Sequence, residues 1–170
     1  MTTDIIEYKD LPYEYDILSL AHSVLESQWH PDLIVGLSRG GLVPAVHLSH
    51  FLNVEMYPLN WGSQSTKLEN TYLRDIINYD NKKVLIVDDI VDSGSTLHNL
   101  IRALDCLPHL VLNLENIRVL ATYNNTDLNE IYSNSSGKLK CDYYARGISR
   151  DKDKRWVQFP WEKRWIIQVP

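Results

Sequence analysis

Three carboxylates and three hydroxyls fall between positions 88 and 96: Asp88, Asp89 and Asp92, then Ser93, Ser95 and Thr96, with Gly94 among them. They follow the apolar run Val84 to Val87 without a break. Carboxylates repel one another and usually stay away from a core, so a buried strand aimed at three of them is arranged for a ligand. Successive backbone amides and hydroxyls at the start of a helix can cradle a phosphate monoester. The acids lie too close to that phosphate to be its direct partners. They are suited to accept from sugar hydroxyls, to hold Mg²⁺, or to act on a proton. Phosphate, hydroxyls and a metal in a row describe a sugar phosphate.

A second cluster lies upstream in VGLSRGGLVP, residues 35–44. Ser38 and Arg39 leave an apolar segment, the pair Gly40 and Gly41 permits tight backbone geometry, and a helix-compatible stretch follows. Backbone amides at a helix start, joined by a guanidinium, suit a second phosphate or a pyrophosphate.

Both clusters need elements to position them. Ile17, Leu20, Ala21, Val24, Leu25 and Gln28 recur at helical spacing and predict an amphipathic helix over 13–28, with one polar member. Leu33 to Gly36 read as a short buried strand. GLVPAVHLSHFL from Gly41 reads as a helix with Pro44 in its first turn, and Val54 to Leu59 as a second strand. Lys83 to Val87 predict the strand before the acids, Leu97, Leu100, Ile101 and Leu104 the helix after them, and Ile117 to Tyr123 a further strand. Strands alternating with helices point to an α/β fold, a parallel-sheet core with helices on both faces. In such sheets ligands bind beyond the carboxyl ends of the strands, which is where both clusters fall. Residues 60–81 are polar, with no core face, and read as a long excursion. Residues 124–138 are rich in Asn and Ser, and an aromatic C-terminal section starts at Tyr143.

The 170 residues suit a single domain spanning 1–170. Hydrophobic residues make up 44% and charged residues 23%, as in an ordinary globular chain. A net charge of −5 argues against nucleic acid as partner, which calls for a basic face. No apolar run approaches the roughly 18 residues of a membrane span, the N-terminus MTTDIIEYKD is unlike a signal peptide, and no membrane partner is expected. Two cysteines, Cys106 and Cys141, form no disulfide or metal framework, so a cytoplasmic setting is expected. Cys106 is expected in the core.

The string DDIVD matches an acidic motif of terpene synthases, but here it follows a strand in a short chain. No Gly-x-x-x-x-Gly-Lys-Ser/Thr string is present, and a response-regulator aspartate leaves the SGST loop unexplained. VLIVDDIVDSGST resembles the phosphoribosyl-pyrophosphate (PRPP) motif of type I phosphoribosyltransferases, and SRGG at 38–41 resembles their pyrophosphate loop in the expected order. WVQFPWE, residues 156–162, is similar to the hood segment of bacterial xanthine–guanine phosphoribosyltransferases and their hypoxanthine relatives. The resemblance runs from about Leu33 to Glu162.

That resemblance implies the type I phosphoribosyltransferase fold with a small hood at about 143–170. It implies transfer of the phosphoribosyl group from PRPP to a purine base, with Mg²⁺ as cofactor, in a homo-oligomer, dimer or tetramer. Asp88 and Asp89 would engage ribose hydroxyls and Mg²⁺, with Glu162 a weaker metal-side candidate. Asp92 would move a proton, and Asp92, Ser93, Gly94, Ser95 and Thr96 would hold the 5′-phosphate. Ser38, Arg39 and Gly40 would hold pyrophosphate. Trp156 would stack on the base, more so than Trp161, and Val157 would present its carbonyl. Arg146, in YYARGISRD, would stand where relatives place a Lys near the 6-oxo group. The 60–81 excursion would close over the leaving group with Lys67 or Arg74, while the charges Lys152 to Arg155 and Lys163-Arg164 read as a solvated face. The rival readings are a PRPP- or nucleotide-sensing regulator on the same fold, and a transferase for another base.

Overall fold

The computed structural model describes residues 5–62, 64–65, 82–107, 113–128, 132–134 and 137–162. Most of the 60–81 excursion, with Lys67 and Arg74, lies outside the described residues, as do Lys163, Arg164 and Trp165.

A five-stranded sheet carries the fold: β2 (Leu33–Leu37), β3 (Met56–Leu59), β4 (Val84–Val91), β5 (Ile117–Asn125) and β8 (Tyr143–Ile148). Its order is β3-β2-β4-β5-β8 and every neighbouring pair is parallel. Parallel strands need crossovers, which α2 (Leu42–Leu52) and α3 (Ser95–Asp105) supply here, and together with α1 (Asp10–Glu26) these helices cover both faces. On one face α1 and α2 pack on Ile34, Leu85, Val87 and Leu120. On the other, Leu97, Leu100, Ile101 and Leu104 of α3 pack on Leu33, Val35, Val84, Ile86 and Val119. The alternation between the two sets is the period of two of a strand. Each apolar side chain fully buried in this way contributes about 1.5–3 kcal/mol.

Helix α1 buries Tyr13, Ile17, Leu20, Ala21 and Val24 at helical spacing, starting a little earlier than predicted, with Asp10 favourably placed in its first turn. Helix α2 ends where Asn53 turns left-handed, at φ 52°. Among the described residues, no helix is long and apolar enough to cross a membrane.

Several elements differ from expectation. β4 does not stop at Val87 but continues through both acids to Val91, because β5 keeps pairing alongside, Asp88 to Ala121 and Ile90 to Tyr123. β1 (Ile5–Glu7) pairs in parallel with β9 (Trp156–Gln158), tying the two ends of the chain together. Strands this short show no periodicity. β6 (Tyr132–Asn134) and β7 (Gly137–Leu139) form a hairpin inside the polar 124–138 stretch. Cys106 is exposed rather than core, because it is the residue that closes α3 and falls off the helix's buried stripe.

Candidate active site

The carboxyl ends of β2 and β4 open into a cavity of about 370 Å³. Lining it are Ser38, Arg39 and Gly40 from the turn after β2, Asp88, Asp89 and Asp92 from β4 and its end, the loop Ser93 to Thr96, and Trp156 and Val157 of β9. Residues far apart in sequence therefore converge on one space. Arg150, Trp61 and Gly62, which sequence reasoning did not single out, line it too.

The two acids that end the apolar half of β4 sit half-buried in the cavity wall. The Asp89 amide donates to Asp88 Oδ1 at 3.0 Å and the Ile90 amide to Asp89 Oδ1 at 2.8 Å. Thr122 Oγ1 donates to the Asp89 carbonyl at 2.6 Å. Desolvation pushes the Asp88 carboxyl well above the usual carboxylate range, and the charge of Asp89 adds to the shift. Asp89 is raised as well, first by desolvation, with the charge of Glu162 also acting in that direction. A Cβ at Gly40 would fall 1.8 Å from Asp89 Oδ2, so a side chain there would displace that carboxylate.

Two desolvated, like-charged carboxylates are a poor neighbourhood for each other and a good one for a hard cation. Among the described residues no group of three or more His, Cys, Asp or Glu forms a metal cage. Asp88 and Asp89 are hard oxygen donors and could hold a divalent cation through one or two carboxylates, with ligand oxygens and water completing the shell. Glu162 turns back on its own 3₁₀ turn, where its Oε2 accepts from the Phe159 amide at 3.0 Å.

After Val91 the chain leaves the sheet. Gly94 takes a left-handed conformation, φ 75°, and caps α3, which aims the helix's first amides at the cavity. Ser93 Oγ and Ser95 Oγ lie 2.8 Å apart in a hydrogen bond. Trp61, buried just past β3, donates from Nε1 to the Thr96 carbonyl at 3.0 Å and fixes the loop from behind. Ser38 Oγ donates to Asn60 Oδ1 at 3.0 Å, the Ser38–Arg39 peptide is cis, and Arg39 is exposed at the cavity edge.

Asp92 is met by an arginine. Arg150 Nε donates to Asp92 Oδ1 at 2.7 Å and Nη2 to Oδ2 at 3.2 Å, a bidentate pair. The arginine side chain is 18% exposed and the aspartate 45%. A buried amide reinforces the junction: Asn125 Nδ2 donates to the Asp92 carbonyl at 2.9 Å.

On the hood side Trp156 is 57% exposed, which leaves a ring face available to a ligand, and Val157 is buried. Trp161 belongs to the core instead, stacked on Phe159 at 5.1 Å and edge-on to Tyr13 at 5.2 Å. Arg146 does not line the cavity. Its Nε donates to Asp16 of α1, and its guanidinium carbon lies 5.3 Å from the centre of the Tyr8 ring. Arg155, in the expected solvated run, pairs with Asp153 at 2.7 Å.

Comparison with known proteins adds an independent line. Residues 7–107 match the model of the phosphoribosyl transferase domain. A xanthine-guanine phosphoribosyltransferase of Cereibacter sphaeroides is 30% identical over 135 residues, covering 76% of this chain and 68% of that protein. Two solved structures share the fold. A purine phosphoribosyltransferase from Pyrococcus horikoshii has TM-score 0.65 and 24% identity, covering 98% of this chain and 99% of that one. A Helicobacter pylori xanthine-guanine-hypoxanthine phosphoribosyltransferase has TM-score 0.63 and 23% identity, covering 94% of each.

Proposed function

The chain belongs to the phosphoribosyltransferase domain family, and from that premise we propose that it transfers the phosphoribosyl group of PRPP to a 6-oxopurine base: guanine, xanthine or hypoxanthine. The products are the nucleoside monophosphate and pyrophosphate, a purine-salvage reaction. The observation that carries this reading is the single cavity in which a carboxylate pair, a hydroxyl-rich helix start and an exposed tryptophan face one another. Each suits one part of the reactants: ribose, 5′-phosphate and planar base.

In the reaction the bond from ribose C1 to pyrophosphate breaks as a base nitrogen bonds to C1. Asp88 and Asp89 accept from the ribose hydroxyls and hold Mg²⁺. When bound by these two carboxylates, Mg²⁺ would supply electrostatic compensation for the charge on the pyrophosphate leaving group. Ser93, Gly94, Ser95 and Thr96 bind the 5′-phosphate through amides and hydroxyls, and Ser38, Arg39 and Gly40 bind pyrophosphate. Trp156 stacks on the base while the Val157 backbone reads its edge. Asp92 takes the proton that the base nitrogen sheds. Arg150 takes one lone pair on each Asp92 oxygen, which leaves the others free to accept that proton while the pair stays intact.

The same reading places the chain in the cytoplasm as a homo-oligomer of two or four copies. Free Cys106 and Cys141 suit a reducing compartment, and the outward leucines and tyrosine of α1, Leu11, Tyr15, Leu18 and Leu25, offer an apolar stripe for a second copy.

A panel of free bases, with PRPP and Mg²⁺, tests the proposal by following nucleotide and pyrophosphate. Turnover is expected with 6-oxopurines first. Ligand binding without turnover on any base sinks the enzyme reading and favours a PRPP- or nucleotide-sensing regulator. Turnover confined to another base moves the substrate and keeps the reaction.

A further inference from the structure

Arg150 is engaged from two sides. Nε and Nη2 hold the Asp92 carboxylate, at the mouth of the hydroxyl-rich loop. Nη1 donates to the Arg155 carbonyl at 2.6 Å and to the Asp153 carbonyl at 3.3 Å, immediately before Trp156. A second link runs parallel to it. Asn125 bonds the Asp92 carbonyl through Nδ2 and accepts from the Arg150 amide through Oδ1 at 3.3 Å. Asp127 then anchors the segment these contacts hold, a strap over residues 149–155, accepting from the Asp151 amide at 2.9 Å and Ser149 Oγ at 3.2 Å.

We propose that Arg150 is a positioning residue that joins the two halves of the cavity, so that a phosphate ester in the Ser93 to Thr96 loop and a planar base on Trp156 bind cooperatively. The inference rests on the purine-transfer reading and deepens it by assigning communication within that site.

Two physical effects act through the one side chain. An anionic phosphate entering the loop meets the Asp92 carboxylate at its edge, and the guanidinium offsets that charge. The grip on the two carbonyls holds the strap that presents Trp156. Fixing one half therefore lowers the ordering cost of the other, and coupling between ligands is reciprocal. Four of the five guanidinium donors are committed in this arrangement, which a lysine, with its compact ammonium head, cannot reproduce.

Calorimetric titration of the whole chain in Mg²⁺ tests this, with ribose 5-phosphate and hypoxanthine as probes. In the unaltered chain, saturating ribose 5-phosphate should tighten hypoxanthine about 10-fold, within the usual span of coupling between sites, and the reverse order should give the same factor. In Arg150→Gln that factor should fall below about 2-fold while the melting curve keeps its cooperative shape. Arg150→Lys gives a second reading if the glutamine variant fails to fold. It keeps the charge beside Asp92 and should retain ribose 5-phosphate affinity, yet bind hypoxanthine more weakly and with reduced coupling. Coupling that survives in either folded variant overturns the proposal. So does an unaltered chain that binds both probes independently, an outcome that leaves the purine reading standing. A chain that binds ribose 5-phosphate but no purine overturns both.

Discussion

Asp88 and Asp89 on the one hand, and Asp92 on the other, belong to a single five-residue string, DDIVD, yet the fold treats them in opposite ways. The first two are held on a paired strand and desolvated, and among the described residues their carboxylates accept from the amides of Asp89 and Ile90. The third, one step past the sheet, is half-exposed and carries its own guanidinium. The pair sets two carboxylates side by side, whereas the single acid is paired with Arg150. The difference teaches where an incoming charge is wanted. On the proposed reading a divalent cation would sit at the pair, whereas the neighbourhood of Asp92 is balanced by Arg150 and would accept an anionic phosphate.

The largest expected effect comes from removing the charge on the balanced side. Asp92→Asn keeps the shape and the amide oxygen that can accept from Arg150, but it removes the proton acceptor. Turnover should fall by about 10²-fold or more, the scale of general acid–base catalysis. Ribose 5-phosphate affinity should hold or improve, since the arginine's charge is then uncompensated beside the loop. An unchanged rate removes Asp92 from the mechanism. A sharp loss of phosphate affinity breaks the comparison itself, because it would make the carboxylate, not the neutralised pair, what the loop requires.

The unbalanced side makes a prediction about stability. The folded-state carboxyls of Asp88 and Asp89 titrate above their ordinary value. Stability from these groups is therefore fully present below the unfolded carboxylate pKa of about 4 and is lost as pH rises through the raised folded values. Above those raised values the ionised pair works against the fold. Mg²⁺ should raise Tm there, and the rise should fade as acid protonates the pair. Asp88→Asn should itself raise Tm by about 2–4 °C for each 1 kcal/mol of relieved repulsion, abolish most of the Mg²⁺ response, and impair catalysis. A Tm indifferent to Mg²⁺ across the pH range would remove the cation from the pair.

The half of the site that is contiguous in sequence was legible there, because strand, acids and hydroxyl-rich helix start follow one another without a gap. Helical spacing in α1 and α3 and the apolar runs of β2, β4 and β5 made the layered fold legible for the same reason. What escaped depends on contacts across long separations. Arg150 meets Asp92 from 58 residues away, and nothing in SRDKDKR distinguishes it from neighbours that pair locally, as Arg155 does with Asp153. Trp61 reaches the Thr96 carbonyl from the start of a polar stretch, where a lone aromatic residue just past a strand was the available signal. β1 and β9 are three residues each, and among the described strands each pairs only with the other.

The smallest effect concerns the other arginine of the same segment. Arg146 and Arg150 are four residues apart, but Arg146 lies within β8, whereas Arg150 follows after the strand has ended. Its guanidinium is consumed by Asp16, which also accepts from Tyr8 Oη at 2.6 Å, and it lies over the Tyr8 ring. That contact locks α1 to the sheet on the face away from α3. Arg146→Ala should then act on stability rather than on recognition, costing about 1 kcal/mol for a part-exposed ion pair with its ring contact. The order of preference among 6-oxo and 6-amino purines should be unchanged, and the measurement is the ratio of kcat/KM for hypoxanthine and adenine in the variant and the unaltered chain. A selective loss on the 6-oxo base would mean that Arg146 abandons Asp16 when a purine binds. The 6-position would then be read from β8 as well as from the Val157 backbone of β9, and the division between a balanced and an unbalanced side would no longer account for which arginine faces the ligand.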